Sequence, residues 1–333
     1  MTCPKLAELP APPPGLTGWP WTEGSAPLPP KAGDGGEWPR ISVVTPSYNQ
    51  GRFIEETIRS VLLQGYPDLE YFVVDGGSTD GSVEIIEKYA PWLSGWTSER
   101  DRGQVEAINK GLRRASGRIF AFLNSDDVYL PGVLAAVAGL WSGRDGGRGW
   151  LCTSVAVAQQ GRAEQVVAPT FDGDAVRFMA GWGDLHQVGT FYDLEAVRAV
   201  GGLDEELHYV FDRDLWIRLL LAGREPRRRP DLVVGRVRMH PDCKSMANLR
   251  GFAEERALLP GRYRAMLPER DRRRLDGALA DHRRFGELSR LAEQGRFLSC
   301  VALLVGAPRM LLRRYAWGAM LRAARGGSAE AAT

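Results

Sequence analysis

Between residues 41 and 127 one pattern comes round four times: a short β-branched or aromatic run, a polar loop, then apolar residues at helical spacing. The runs are Ile41-Ser42-Val43-Val44-Thr45, Tyr71-Phe72-Val73-Val74, a weaker Gly95-Trp96-Thr97, and Ile119-Phe120-Ala121-Phe122-Leu123. Helical spacing follows in Ile54, Ile58, Val61 and Leu62, in Val83, Ile86 and Tyr89 behind a candidate N-cap at Ser82, and over residues 105–115. Pro131 signals a further helix start after the fourth run. Strands and helices alternating at this interval predict a parallel, doubly wound α/β sheet. Ligands of such sheets bind beyond the carboxyl ends of the strands. Pro46-Ser47-Tyr48-Asn49, the glycine-rich stretch 75–81 and Asn124-Ser125-Asp126-Asp127 all fall there.

The rest of the chain is organised differently on each side. Ten of the 21 prolines lie in residues 1–40, which reads as an extended or loosely ordered arm with Trp19, Trp21 and Trp38 as anchors. A Gly/Arg/Asp loop over 143–149 interrupts the alternation. A hairpin is expected from 151–157 and 165–168 around Gln160-Gly161, then a strand at 188–192, helices at 194–200 and 214–221, and a strand at 232–238. Beyond residue 261 only helices are expected. The domain reading is an arm (1–40), a catalytic body (41–250) and a basic helical extension (251–333).

Composition excludes several classes. Apolar residues at 44% and charged residues at 25% describe an ordinary soluble globular chain. A net charge of +2 gives no basic footprint for nucleic acid. It hides an asymmetry, because residues 261–333 carry +8 and leave −6 on the first 260. Cys3, Cys152, Cys243 and Cys300 form no CxxC pair, so neither a zinc site nor a disulfide framework is expected. The amino terminus has no secretory pattern, and the apolar stretch 297–308 is short of the roughly 20 residues that span a bilayer. The expected location is cytoplasmic.

Four motifs in order resemble the family 2 glycosyltransferases of bacterial type. They are Ile41-Ser42-Val43-Val44-Thr45-Pro46-Ser47-Tyr48-Asn49, then Ser60-Val61-Leu62-Leu63-Gln64, then the segment from Val73 to Ser82, then Ala121-Phe122-Leu123-Asn124-Ser125-Asp126-Asp127. The likeness continues through Gly201-Gly202-Leu203-Asp204-Glu205 and the segment from Phe211 to Arg218, covering roughly residues 38–245. It implies a GT-A fold and transfer of a sugar from a nucleotide-sugar donor to a hydroxyl, with inversion, in polysaccharide or glycolipid synthesis. It also implies a site. Thr45, Ser47, Tyr48, Asn49, Asp75, Gln104, Asn109, Asn124 and Ser125 would hold the nucleotide sugar, with Asp75 facing the base. Asp126 would hold Mg²⁺ or Mn²⁺, His240 would be a further metal ligand or a pyrophosphate contact, and Asp212 would be the general base.

The residues suit that chemistry. A divalent cation bridging the donor's diphosphate stabilises the leaving group, and hard cations want oxygen ligands of the kind Asp126 offers. Asn124 stands where the family's Asp-x-Asp motif has its first carboxylate, and it brings no charge. An acceptor hydroxyl needs a carboxylate to take its proton; Asp212 is the first choice and Asp214 the second. Plainer roles compete at each point: Asn124-Ser125-Asp126-Asp127 as a capping turn, Tyr48-Asn49 as a turn, Gln104 and Lys110 as a solvated helix face, Asp214 as a helix-dipole partner, His240 as a structural histidine. Gln187 is a candidate to face the acceptor. Leu275, Leu279, Phe285, Leu288 and Leu291, followed by Arg309, Arg313, Arg314, Arg322 and Arg325, suit a membrane surface or a lipid-linked acceptor; helices packed on the body are the alternative. Two rival functions are a sugar-1-phosphate nucleotidyltransferase, for which the loop after the first strand lacks a glycine-rich basic segment, and a catalytically silent binding protein with this fold.

Overall fold

The computed structural model describes residues 2–33, 35–141 and 149–305, with Trp317, Ala319, Leu321 and Ala323 beyond them. In chain order the elements are β1 (Ile41–Ser47), α1 (Ile54–Leu62), β2 (Leu69–Asp75), α2 (Ser82–Tyr89), β3 (Gly95–Ser98), α3 (Gln104–Arg114), β4 (Ile119–Phe122), β5 (Val128–Tyr129) and α4 (Val133–Trp141). Then come β6 (Trp150–Gln159), β7 (Gln165–Val167), α5 (Ala175–Met179), β8 (Thr190–Asp193), α6 (Leu194–Ala199), α7 (Phe211–Leu221) and β9 (Pro226–Met239). Four helices follow: α8 (Lys244–Ala247), α9 (Leu249–Arg264), α10 (Glu269–Glu293) and α11 (Phe297–Val305). Two compact units result, one from residues 1–173 and 184–256, the other from 174–183 and 257–333.

The first unit is built on one mixed sheet. Its strands lie in the order β3-β2-β1-β4-β8-β6-β9-β5, with β7 paired to β6. The four repeats seen in the sequence form the parallel half, β3-β2-β1-β4. Beyond β4 the pairing turns antiparallel at β8 and again from β8 to β6, and becomes parallel between β6 and β9. The register carries Ser47, Asp75 and Ser98 side by side at the carboxyl ends of β1, β2 and β3. Ile41, Val43, Tyr71, Val73, Ile119 and Ala121 are fully buried along the alternating face of these strands, and α1 covers them with Ile54, Ile58, Val61 and Leu62. Burying side chains of this size stabilises by about 1.5–3 kcal/mol each before chain entropy is charged.

One local expectation is corrected. The N-cap of α2 is Gly81, in a left-handed conformation (φ 90°), not Ser82. Asp80 takes the capping part instead, accepting from Ser82 N (3.1 Å), while Ser82 Oγ accepts from Gln50 N (3.0 Å). The arm is ordered. Cys3, Leu9, Trp21 and Ala32 are buried, and the Trp19 indole donates to Tyr129 O (2.8 Å). The fully buried Arg59 of α1 donates to the arm carbonyls of Pro10 (2.8 Å), Pro20 (3.0 Å) and Trp21 (2.8 Å) and to Tyr89 Oη (3.0 Å). Proline-rich backbone has few N–H groups, so its carbonyls need donors from elsewhere. One guanidinium supplies three.

In the second unit, Leu288, Leu291, Ala292, Cys300 and Leu304 pack with Ala319 and Ala323. Leu298, Val305, Trp317 and Leu321 stay exposed. Residues 142–148, which include most of the expected Gly/Arg/Asp loop, lie outside the described residues, as do Arg309, Arg313, Arg314, Arg322 and Arg325. No helix among the described residues is long and apolar enough to cross a membrane.

Candidate active site

The carboxyl ends of β1, β2, β3 and β4 open into a cavity of about 940 Å³ in the first unit. Its wall includes Ser47, Tyr48, Gln104, Asn124, Ser125, Asp126 and Asp212 from the expected set. His240 joins it through Asp126, whose Oδ2 lies 3.1 Å from His240 Nε2. Sequence positions from 46 to 252 thus converge on one pocket.

The turn after β4 owes its shape to bonds on both sides. Thr57 Oγ1 donates to the carbonyls of Ser125 (2.9 Å) and Asp127 (2.7 Å), so α1 holds the loop from below. Arg238 of β9 donates through Nε to Asp126 O, through its backbone N to Asp127 Oδ1 (3.1 Å), and pairs with Glu56. Asp127 is buried beside the Asp126 charge, and both effects push its carboxyl well above the ordinary range. Asp126 lines the pocket beside it. Asn124 accepts from Gln104 Nε2 (2.7 Å) and donates to Asp127 Oδ2 (3.3 Å).

Asp212 is aimed by aromatic packing. Phe211 sits 6.3 Å from Phe122, the last residue of β4. Phe122 stacks in turn on Tyr192, and Tyr192 accepts from Trp216 Nε1 (2.9 Å). Glu255, in the part of α9 that belongs to this unit, accepts from the backbone N of His208, Tyr209 and Val210 (2.7–3.1 Å) and so holds the amino end of α7. Burial raises the Asp212 carboxyl to about 6, against an opposing bond from Arg213 N. Asp214 is fully buried, pairs with Arg218 (2.8 Å) and does not reach the pocket. Arg218 also binds the carbonyls of Val200 (2.6 Å) and Gly202 (2.7 Å), so this pair ties α7 to the turn before it.

Four expected donor-binding residues lie elsewhere. Thr45 is buried against Tyr71 Oη (3.0 Å). Asn49 has φ 51° and accepts from Thr79 N (3.0 Å), the work of a turn residue. Asp75 is fully buried and accepts four hydrogen bonds, from Gly77 N, Ser78 N, Ser78 Oγ and Ser98 Oγ. A carboxylate so committed has little left for a ligand. Asn109 bonds both backbone groups of Leu203 and the Glu205 carboxylate, fastening α3 to the Gly201–Glu205 turn. Lys110 pairs with Glu99 (2.8 Å) and Glu106 (3.5 Å) outside the pocket. Gln104, by contrast, is in the wall and receives Lys244 Nζ (3.0 Å).

Further residues line the pocket beside the expected set. Arg100, Asp101 and Arg102, after β3, line it, as does Lys244. The stem of Lys244 is exposed, but its ammonium turns inward to Gln104 and His208 O (3.0 Å), and the loss of hydration lowers its pKa. Gln187 donates to Phe122 O, and its Oε1 is buried without a partner.

Among the described residues no group of three or more His, Cys, Asp or Glu is arranged around a metal position. Asp126 and His240 supply two donors within contact of each other. The Asp126 oxygen is the kind of ligand a hard cation wants, with phosphate oxygens and water to complete its shell. His240 Nδ1 faces Arg52 Nη2 (3.1 Å), and Arg52 is held by Asp242 (2.9 Å).

Residues 42–169 match the family model "Glycosyl transferase family 2". The putative teichuronic acid biosynthesis glycosyltransferase TuaG of Bacillus subtilis is 45% identical over 94 residues, 27% of this chain and 37% of TuaG. The match thus spans about a third of that relative's length. Among solved structures, TarS residues 1–349 of S. aureus in complex with UDP-GlcNAc superposes with a TM-score of 0.57 at 21% identity, covering 73% of this chain and 71% of that one. The mannosyltransferase PcManGT of Pyrobaculum calidifontis, in complex with GDP-Man and Mn²⁺, superposes at 0.54 and 20% identity, covering 91% and 89%. The four-strand parallel half, the loops at its carboxyl ends and this family match identify residues 42–169 as a family 2 glycosyl transferase domain in a GT-A fold.

Proposed function

We propose that the chain transfers a sugar from a nucleotide-sugar donor to an acceptor hydroxyl, with inversion, in the synthesis of a polysaccharide or glycolipid. The observation that carries the reading is the pairing of two carboxylates with opposite tasks in one cavity. Asp126 sits at the end of β4, suited to the diphosphate side. Asp212 sits at the start of α7, its carboxyl raised to about 6, close to the range a general base needs.

Asp212 takes the proton of the acceptor hydroxyl as that oxygen bonds to the anomeric carbon. The bond from that carbon to the donor's phosphate oxygen breaks, and the nucleoside diphosphate leaves with its electron pair. Arg100 and Lys244 bring positive charge to the cavity wall, suited to a diphosphate whose charge grows as the bond breaks. Asp126 and His240 are the residues that would hold Mg²⁺ or Mn²⁺; a bound cation supplies Lewis-acid stabilisation of the leaving diphosphate. TarS and PcManGT were solved with UDP-GlcNAc and with GDP-Man and Mn²⁺, which supports a nucleotide sugar as donor here without naming the base.

A lipid-linked acceptor and a place at the inner membrane face belong to the same reading. The exposed Leu298, Val305, Trp317 and Leu321 and the arginine-rich sequence around them support it. Sugar transfer to a panel of acceptors tests the function: wild type should form product with one donor, and Asp212→Asn should retain donor binding while losing at least 100-fold in rate. Donor binding without turnover in wild type under every acceptor would favour a silent binding protein instead.

A further inference from the structure

The helix that carries Asp212 begins without a cap of its own. The N-cap of α7 is Val210, whose side chain has no oxygen to offer the free N–H groups of the first turn. Asp212 is the second residue of that helix, so slack at this end is slack in the carboxylate. A side chain from elsewhere takes up the work. Glu255 of α9 accepts from three successive backbone N–H groups, His208 N (2.8 Å), Tyr209 N (2.7 Å) and Val210 N (3.1 Å), with both carboxylate oxygens engaged. Successive N–H groups turned to one point make an anion-binding nest. The His208 residue is gripped at its other end as well, where its carbonyl accepts from Lys244 Nζ (3.0 Å).

The approach of α9 to this segment is built along one face. Asn248, just before the helix, and Gly251, Phe252 and Glu255 within it follow the i, i+3, i+4, i+7 spacing of a helix side. Asn248 Nδ2 donates to Tyr209 Oη, and the Phe252 ring packs 5.1 Å from the Tyr209 ring. Gly251 permits the contact, since a Cβ there would stand 2.5 Å from the Tyr209 ring. Tyr209 and Phe252 line the cavity, and Glu255 does not. Its hydrogen bonds reach the cavity through the segment it holds.

We propose that Glu255 is a positioning residue for the transfer: it fixes residues 208–210 and through them holds the Asp212 carboxylate on the acceptor hydroxyl. This rests on the reading of Asp212 as the base and adds to it a residue outside the cavity wall. Misplacing a reacting group by about 1 Å can cost about 100-fold in rate, so slack in this anchor should appear in kcat.

The test measures nucleoside diphosphate release from UDP-, dTDP- and GDP-sugars by the full chain in Mn²⁺, with the acceptor panel described above. Glu255→Gln, which sets an NH₂ group against the backbone donors, should lower kcat at least about 30-fold and leave donor KM within about threefold of wild type. Gly251→Ala forces α9 and Tyr209 apart while leaving every polar group in place. It should lower kcat in the same direction, and it serves if the first variant is unstable. In the Asp212→Asn background Glu255→Gln should cost less than about threefold more, because residues that act as a unit are not additive. Wild-type kcat in both variants, a donor KM that rises as far as kcat falls, or a full further loss in the Asp212→Asn background overturns the proposal. Full rate in Asp212→Asn, or no release from any sugar by wild type, would instead reject the reading beneath it, and this proposal with it.

Discussion

His240 Nε2 lies 3.1 Å from Asp126 Oδ2, joining the end of β9 to the end of β4 across 114 residues of sequence. Arg52 Nη2 faces the other ring nitrogen, so the imidazole is oriented from both sides. A guanidinium only donates, so Nδ1 accepts and Nε2 carries the proton shared with Asp126, a proton the ring would have to release before a metal could bind there.

Asp126→Ala should therefore abolish metal-dependent transfer, by at least about 1000-fold. His240→Ala should do less, raising the half-saturating Mn²⁺ concentration by about 10–100-fold. Rates measured across a Mn²⁺ series, with EDTA as the zero point, check both. Equal Mn²⁺ dependence in wild type and His240→Ala would remove His240 from the site.

With Asp212 as the proposed base, one proton links activity and stability. Its folded pKa of about 6 lies above the unfolded value of about 3.9, so the native state binds more protons between those two values. Stability from this group falls as pH rises from about 4 to about 6, and the full cost stands above 6. It amounts to about 1–3 kcal/mol. Asp212→Asn should be more stable than wild type at pH 8 and should lose that advantage near pH 4, in urea titrations at each pH. Wild-type kcat should fall tenfold per unit below about pH 6, since only the ionised carboxylate takes a proton.

Arg59→Met should loosen the arm. The change strips donors from three arm carbonyls and from Tyr89 Oη, and orphaned acceptors of this kind cost about 2–4 kcal/mol together. Limited proteolysis should then cut within residues 1–40 well before wild type is cut.

The residues that the sequence made legible are those fixed by local pattern. The parallel half of the sheet follows from four β-branched or aromatic runs, and the pocket positions of Asp126 and Asp212 follow from motifs that sit at element ends. What stayed hidden depends on partners far along the chain. Asp75 was a natural choice for the base because it ends β2, but Ser98, 23 residues on, helps consume its acceptors. Asn109 looks like a ligand residue until Leu203 claims both ends of its amide. Glu255 has no motif, and only the fold brings it under the amino end of α7. Trp19 and Trp21 were legible as anchors of the arm, but proline content does not say that a buried arginine waits to bind its carbonyls. At Ser82 the capping rule was right about chemistry and one step off in position, since Gly81 adopts the left-handed turn and Asp80 supplies the oxygen.

Thermal unfolding of the full chain with UDP-, dTDP- and GDP-sugars, each with and without Mn²⁺, bears most directly on the reading as a metal-assisted nucleotide-sugar transferase. A ligand at 100 times its Kd stabilises by about 2.7 kcal/mol, which is several degrees for a domain of this size. One donor should raise the melting temperature by several degrees with Mn²⁺ and by little without it, and Asp126→Ala should lose the shift. No shift with any donor, or a shift that Asp126→Ala retains in full, would contradict the account.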